Sequence, residues 1–178
     1  MQTVIDRKNI YDSMAAGIAR RLIDVRKAAI RDSFNGFQNL SHRLEEVSTV
    51  RGVTFINDSK ATNVNASWYA LESMNRPVVW IAGGLENGND YSILKNLVEK
   101  KVKALICLGM DNKHIVNCFK DIIDKITEVP DAQKAVKAAF ALASPGNIVL
   151  LSPACASFDR FENYADRGDQ FKKAVFDL

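Results

Sequence analysis

A chain of 178 residues with 47% apolar content can bury a core of ordinary size, which excludes a disordered or purely fibrous protein. Its 24 basic and 21 acidic side chains leave a formal charge of +3 spread along the chain, so there is no concentrated basic footprint for nucleic acid or for an anionic membrane. No signal peptide or membrane-spanning run is recognisable, and the three cysteines, Cys107, Cys118 and Cys155, stand at unrelated spacings that suit reduced thiols, so a soluble cytoplasmic protein is expected.

The chain opens with "NIYDSMAAGIARRLIDVRKAAIRD", residues 9–32, where Ile10, Met14, Ile18, Leu22, Val25 and Ile30 recur at close to helical spacing and predict one long helix. Gly36, Asn39 and Ser41 then break the periodicity. No strand precedes that helix to form a core with it, so residues 1–40 read as the tail of another unit and residues 41–178 as a domain.

From about residue 44 short β-rich runs alternate with helical ones, the signature of a parallel sheet built from crossover units. Strands are predicted at "VTFIN", "PVVWIAGG", "ALICLG", "ITEVP" and "NIVLLSP", and helices at about 63–74, 91–100, 112–124, 131–143 and 163–176. Val78 to Ala82 and Ile148 to Leu151 are unbroken apolar runs, as expected of strands covered on both faces. The predicted class is therefore α/β, a Rossmann-like, mostly parallel sheet with helices on both faces, preceded by an N-terminal helical segment.

In such sheets ligands gather beyond the carboxyl ends of the strands. Three polar clusters fall there: "NDSKATN" after the first strand, "GGLENGND" after the second and "SPACASFD" after the last. Lys60 supplies a charge, Thr62 a hydroxyl and the helix starting near Asn63 unpaired N–H groups, a set that suits a carboxylate or phosphate. The residues alone leave a plainer account open, in which Asp58 or Ser59 caps that helix and Lys60 is merely solvated. In the last cluster Ser152, Ser157 and Asp159 are polar, and Ala154 and Ala156 leave room for close approach. Cys155 is not read as a nucleophile, because the two histidines, His42 and His114, lie in other segments and no motif links either to it as a base. The glycine-rich loop matches neither G-x-G-x-x-G nor G-x-x-x-x-G-K-[ST], and no spacing suggests a metal site.

"HRLEEV", "INDSKATN", "AGG" followed by "GNDYS", and "LLSPACASFDRFENYADRGDQF", in this order, resemble the C-terminal domain of the D-glutamate-adding members of the Mur ligase family of peptidoglycan synthesis. The likeness covers essentially the whole chain, with "NIYDSMAAGIA" similar to the last helical part of that family's central, ATP-binding domain. The resemblance implies a C-terminal fragment of a monomeric, ADP-forming amide ligase. Such an enzyme adds D-glutamate to UDP-N-acetylmuramoyl-L-alanine with ATP and magnesium, which the missing central domain mainly binds. The substrate carboxylate is phosphorylated, the D-glutamate amine attacks the acyl phosphate, and phosphate leaves. The resemblance further implies that Lys60, Thr62, Ser157 and the backbone near Tyr164 hold D-glutamate, with Lys60 also serving catalysis, while Asn9, Arg43 and Asp58 contact the nucleotide. Two positions depart from the family pattern. Lys8, Asn9 and Asp12 stand where His-Asn-x-x-Asn is usual, and Asn87 stands where the glycine-rich loop usually carries a lysine. The absence of a P-loop from the 178 residues predicts that they do not turn over ATP alone. The alternatives are a non-catalytic Rossmann-like module for a small anion or a partner domain, a ligase for another amino acid, and, by fold only, an oxidoreductase.

Overall fold

A polar segment that the sequence leaves unassigned forms the first edge of the sheet. Glu45–Val50 (β1) pairs antiparallel with Val53–Asn57 (β2) across Arg51 and Gly52. Their φ angles of 49° and 79° are both left-handed, as in the type I′ turn that follows the natural twist of two strands. The sheet thus begins before Val53, the first position expected. Only Val47 and Val50 of β1 pack against the core, and that is too sparse to read as a strand.

The computed structural model describes residues 41–178. The helix expected over residues 9–32, with Asn9, lies outside the described residues. Four further strands follow, Val78–Ala82 (β3), Val102–Leu108 (β4), Ile126–Val129 (β5) and Ile148–Leu151 (β6). The six form one sheet in the order β1-β2-β6-β3-β4-β5, and every pairing except β1 with β2 is parallel.

The helices fall close to where the caps place them. Val64–Ser73 (α1), Ala132–Leu142 (α4) and Tyr164–Phe176 (α5) each start after an Asn or Asp, and the side chains of Asn63, Asp131 and Asn163 accept first-turn N–H groups. Between them, a 3₁₀ turn at Tyr91–Leu94 runs into Lys95–Lys101 (α2). Lys113–Phe119 (α3) is shorter than expected, and beyond it the Ile122 N–H tightens to an i→i−3 bond with the Phe119 carbonyl.

Alternation along β3 divides the interior. Val78, Trp80 and Ala82 join residues of α1, α2 and α3 in one core, while Val79 and Ile81 join residues of α4 and α5 in the other. The neighbours β2 and β6 therefore hand the chain to opposite faces, β2 to α1 and β6 to α5. A crevice opens between loops that diverge in this way, at a topological switch point of the sheet.

Candidate active site

The turn after β2 is built from buried polar groups. Asn57, fully buried, donates from Nδ2 to His42 Nδ1 at 3.1 Å and accepts the Ser59 N–H on Oδ1 at 3.1 Å. Asp58 is buried as well. Its Oδ1 accepts the Leu44 N–H at 3.3 Å and its Oδ2 the Ser152 hydroxyl at 2.9 Å. Burial outweighs those bonds and the nearby charge of Arg43, and pushes the carboxyl up to about 7. Ser59 donates from Oγ to the Tyr164 carbonyl at 2.7 Å. The plainer account of this turn is therefore corrected in its cap: Asn63 caps α1, and Asp58 and Ser59 tie β2 to β6 and α5 instead.

Lys60 emerges from this base. Its N–H donates to the His42 carbonyl at 3.0 Å, and its carbonyl accepts the Thr62 N–H at 2.9 Å. The ammonium stands 5.8 Å from the centre of the Tyr164 ring, within cation–π range. That ring also meets the edge of His42, with centroids 6.3 Å apart. Lys60, Thr62 and Tyr164 are all exposed. Tyr164 is the first residue of α5, so an exposed ammonium, on the same turn as the Thr62 hydroxyl, stands beside the positive end of a helix.

The second wall is the loop after β6. It joins the first through the Ala154 N–H, which donates to the Ala61 carbonyl at 3.0 Å. Ala154 has a left-handed φ of 61°, a conformation that side chains other than glycine hold only under constraint. Ser157 is buried, and its carbonyl accepts the Arg160 and Phe161 N–H groups; its hydroxyl makes no hydrogen bond among the described residues. Cys155 is buried against Tyr91, whose hydroxyl lies 2.9 Å from Sγ, and burial raises the thiol further above its ordinary range. In the third loop Gly83 and Gly84 serve close approach. A Cβ on Gly84, at φ 145°, would overlap the Ala156 carbonyl oxygen.

The structure thus puts Lys60 beside Tyr164, with Thr62 on the same turn. Arg43 and Asp58 lie behind it, close enough to interact electrostatically. Ser157 sits on the facing loop without touching Lys60. Three residues with no assigned role emerge as the frame. Arg167, almost wholly buried, bonds Ser59 twice and the Cys155 carbonyl once. His42 lies against Gly168, where a side chain would overlap the ring. A signal was present in "DRGDQF", since a glycine inside an amphipathic helix asks for a close neighbour.

The family model described as Mur ligase, glutamate ligase domain, matches residues 42–155. The UDP-N-acetylmuramoylalanine--D-glutamate ligase of Christiangramia forsetii is 53% identical over 172 residues, 97% of this chain and 39% of that protein. The protein of the same name from Porphyromonas gingivalis is 51% identical over 170 residues, 96% of this chain and 38% of that protein. The chain spans about two fifths of the length of these curated relatives. Among solved structures, the murein peptide ligase of Psychrobacter arcticus superposes with a TM-score of 0.56 at 12% identity, covering 80% of this chain and 31% of that one, a likeness of fold.

Proposed function

The chain belongs to the Mur ligase family through its glutamate ligase domain, and from that membership we propose that it is the D-glutamate-binding part of an ATP-dependent, ADP-forming amide ligase. The full enzyme would add D-glutamate to UDP-N-acetylmuramoyl-L-alanine in cytoplasmic peptidoglycan synthesis, acting as a monomer, and residues 1–40 would be the end of its central domain. The observation that carries this reading is the exposed Lys60 ammonium beside Tyr164, at the N-terminus of α5 and on the turn that follows β2.

D-Glutamate presents two carboxylates and one amine. Lys60, the Thr62 and Ser157 hydroxyls and the Tyr164 N–H at the start of α5 are donors suited to the carboxylates, and two anchored carboxylates fix where the amine points. Arg43, Asp58 and Asn9 would face the nucleotide, Asp58 from a position where both oxygens already have partners. Among the described residues no group of three His, Cys, Asp or Glu side chains could hold a metal ion. ATP and magnesium would be held mainly by the central domain of the enzyme, and this chain would supply the placement and desolvation of the amino acid.

A chimera tests this: the stretch of the Christiangramia forsetii enzyme aligned with this chain is replaced by it, and phosphate release from ATP is measured with UDP-N-acetylmuramoyl-L-alanine. Release is expected to depend on D-glutamate, and Lys60→Ala is expected to lower kcat/KM for D-glutamate about 100-fold. A folded chimera indifferent to D-glutamate, or to the loss of Lys60, would overturn the reading.

A further inference from the structure

Asn87, where the family pattern has a lysine, is exposed and makes no hydrogen bond among the described residues. Other side chains cross from the glycine-rich loop to the wall that carries Ser157. The Tyr91 hydroxyl lies 2.9 Å from Cys155 Sγ. Asn89 Nδ2 makes longer contacts, 3.3 Å to the same sulfur and 3.4 Å to the Ala154 carbonyl. Glu86 aims both: one carboxylate oxygen accepts the Asn89 N–H at 2.8 Å and the other the Tyr91 hydroxyl at 2.9 Å.

The backbone adds to this attachment. Gly83 N–H donates to the Pro153 carbonyl and Leu85 N–H to the Ala156 carbonyl, each at 2.9 Å. The segment so held contains the left-handed Ala154, whose N–H is fixed from the opposite side by Ala61. A strained residue keeps its conformation only where its surroundings over-determine it, and here the surroundings are Ala61 on one side and Asn89 with Tyr91 on the other.

We propose that Asn89 and Tyr91, aimed by Glu86, are positioning residues that hold Pro153–Ser157 ready for a D-glutamate carboxylate, so that the glycine-rich loop acts through the opposite wall rather than through a lysine of its own. This rests on the D-glutamate reading above. Both residues are engaged by Glu86 and by the Ala154–Cys155 segment, so their loss is expected to weaken binding and spare turnover.

Two measurements on Asn89→Ala and the shape-preserving Tyr91→Phe test it. In the 178-residue chain, hydrogen exchange of amides 154–158 is expected to rise about tenfold with the melting temperature nearly kept. In the chimera, KM for D-glutamate is expected to rise about three- to tenfold with kcat nearly constant. Unchanged exchange, or a fall in kcat at constant KM, overturns the proposal. A parent chimera with no response to D-glutamate overturns the ligand named here together with the functional reading, while the exchange measurement still decides whether the two side chains hold the segment.

Discussion

Arg167 grips Ser59 twice, from Nε to the hydroxyl at 3.0 Å and from Nη2 to the carbonyl at 2.9 Å. Its third arm, Nη1, donates to the Cys155 carbonyl at 3.1 Å. One guanidinium therefore binds the residue before Lys60 and the loop before Ser157 to the helix that begins at Tyr164. Burial lowers its pKa to about 10, which still leaves it charged at neutral pH.

Lysine cannot reproduce that three-armed geometry. Arg167→Lys is expected to leave two buried carbonyls short of donors and to cost about 2–4 kcal/mol, seen as a melting temperature about 5–10 °C lower. An unchanged melting temperature would show that the grip is dispensable.

Gly168 illustrates a substitution whose usual sign reverses. Inside a helix Gly→Ala ordinarily stabilises by about 0.5–1 kcal/mol. Here the new methyl would overlap His42 Nδ1 and crowd the rest of the ring, displacing the group that accepts from Asn57 and whose backbone carbonyl holds the Lys60 N–H. Gly168→Ala is expected to destabilise by about 1–3 kcal/mol in chemical denaturation, and His42→Ala in the same chain to recover part of that loss. Additive single effects would mean that the ring and the methyl do not meet.

Asp58 makes stability depend on pH. The unfolded chain releases this proton near 3.8 and the folded chain near about 7, because burial disfavours the carboxylate. Between those values the folded state binds more protons, so the contribution is complete below the lower value and is lost as pH rises through the upper one. The hydrogen bonds agree with a held proton: the single Ser152 hydroxyl hydrogen faces two acceptors, Asp58 Oδ2 and Ser67 Oγ, each at 2.9 Å. A protonated Asp58 donates to Ser152 and frees that hydrogen for Ser67. Asp58→Asn keeps a donor there at every pH. Relative to wild type it is expected to gain on the order of 2–4 kcal/mol between about pH 5 and about pH 8, read from paired urea titrations. Parallel stability curves for the two proteins would refute the assignment.

Particular residues show why part of this architecture was legible in the sequence. Val78 to Ala82 and Ile148 to Leu151 are apolar without interruption because both faces of β3 and β6 are covered, and they lie side by side at the centre of the sheet. Asn63, Asp131 and Asn163 mark helix starts because a cap is local chemistry. Arg167 is the opposite case. Flanked by Asp166, Gly168 and Asp169, it reads as one more solvated charge, and its burial depends on Ser59, which lies 108 positions away. The site's polar turn was visible as a cluster. That Asn57, Asp58 and Ser59 face inward and Lys60 outward depends on the loop after β6 and could not be read locally.

The missed edge strand follows the same logic, since β1 holds its place by pairing rather than by burial, and the turn that starts that pairing can be tested. Arg51 occupies a left-handed position, φ 49°, that a long side chain tolerates poorly and asparagine adopts readily, and it is followed by Gly52 at φ 79°. Arg51→Asn would give the Asn-Gly pair that type I′ turns favour, on an exposed residue. It is expected to stabilise the chain by about 0.5–1 kcal/mol, a rise in melting temperature of about 2–3 °C, and to slow hydrogen exchange in β1. Because the turn lies at the opposite end of β2 from Lys60, D-glutamate kinetics in the chimera are expected to stay the same. A loss of stability would mean that Arg51 makes the turn through its side chain and not in spite of it.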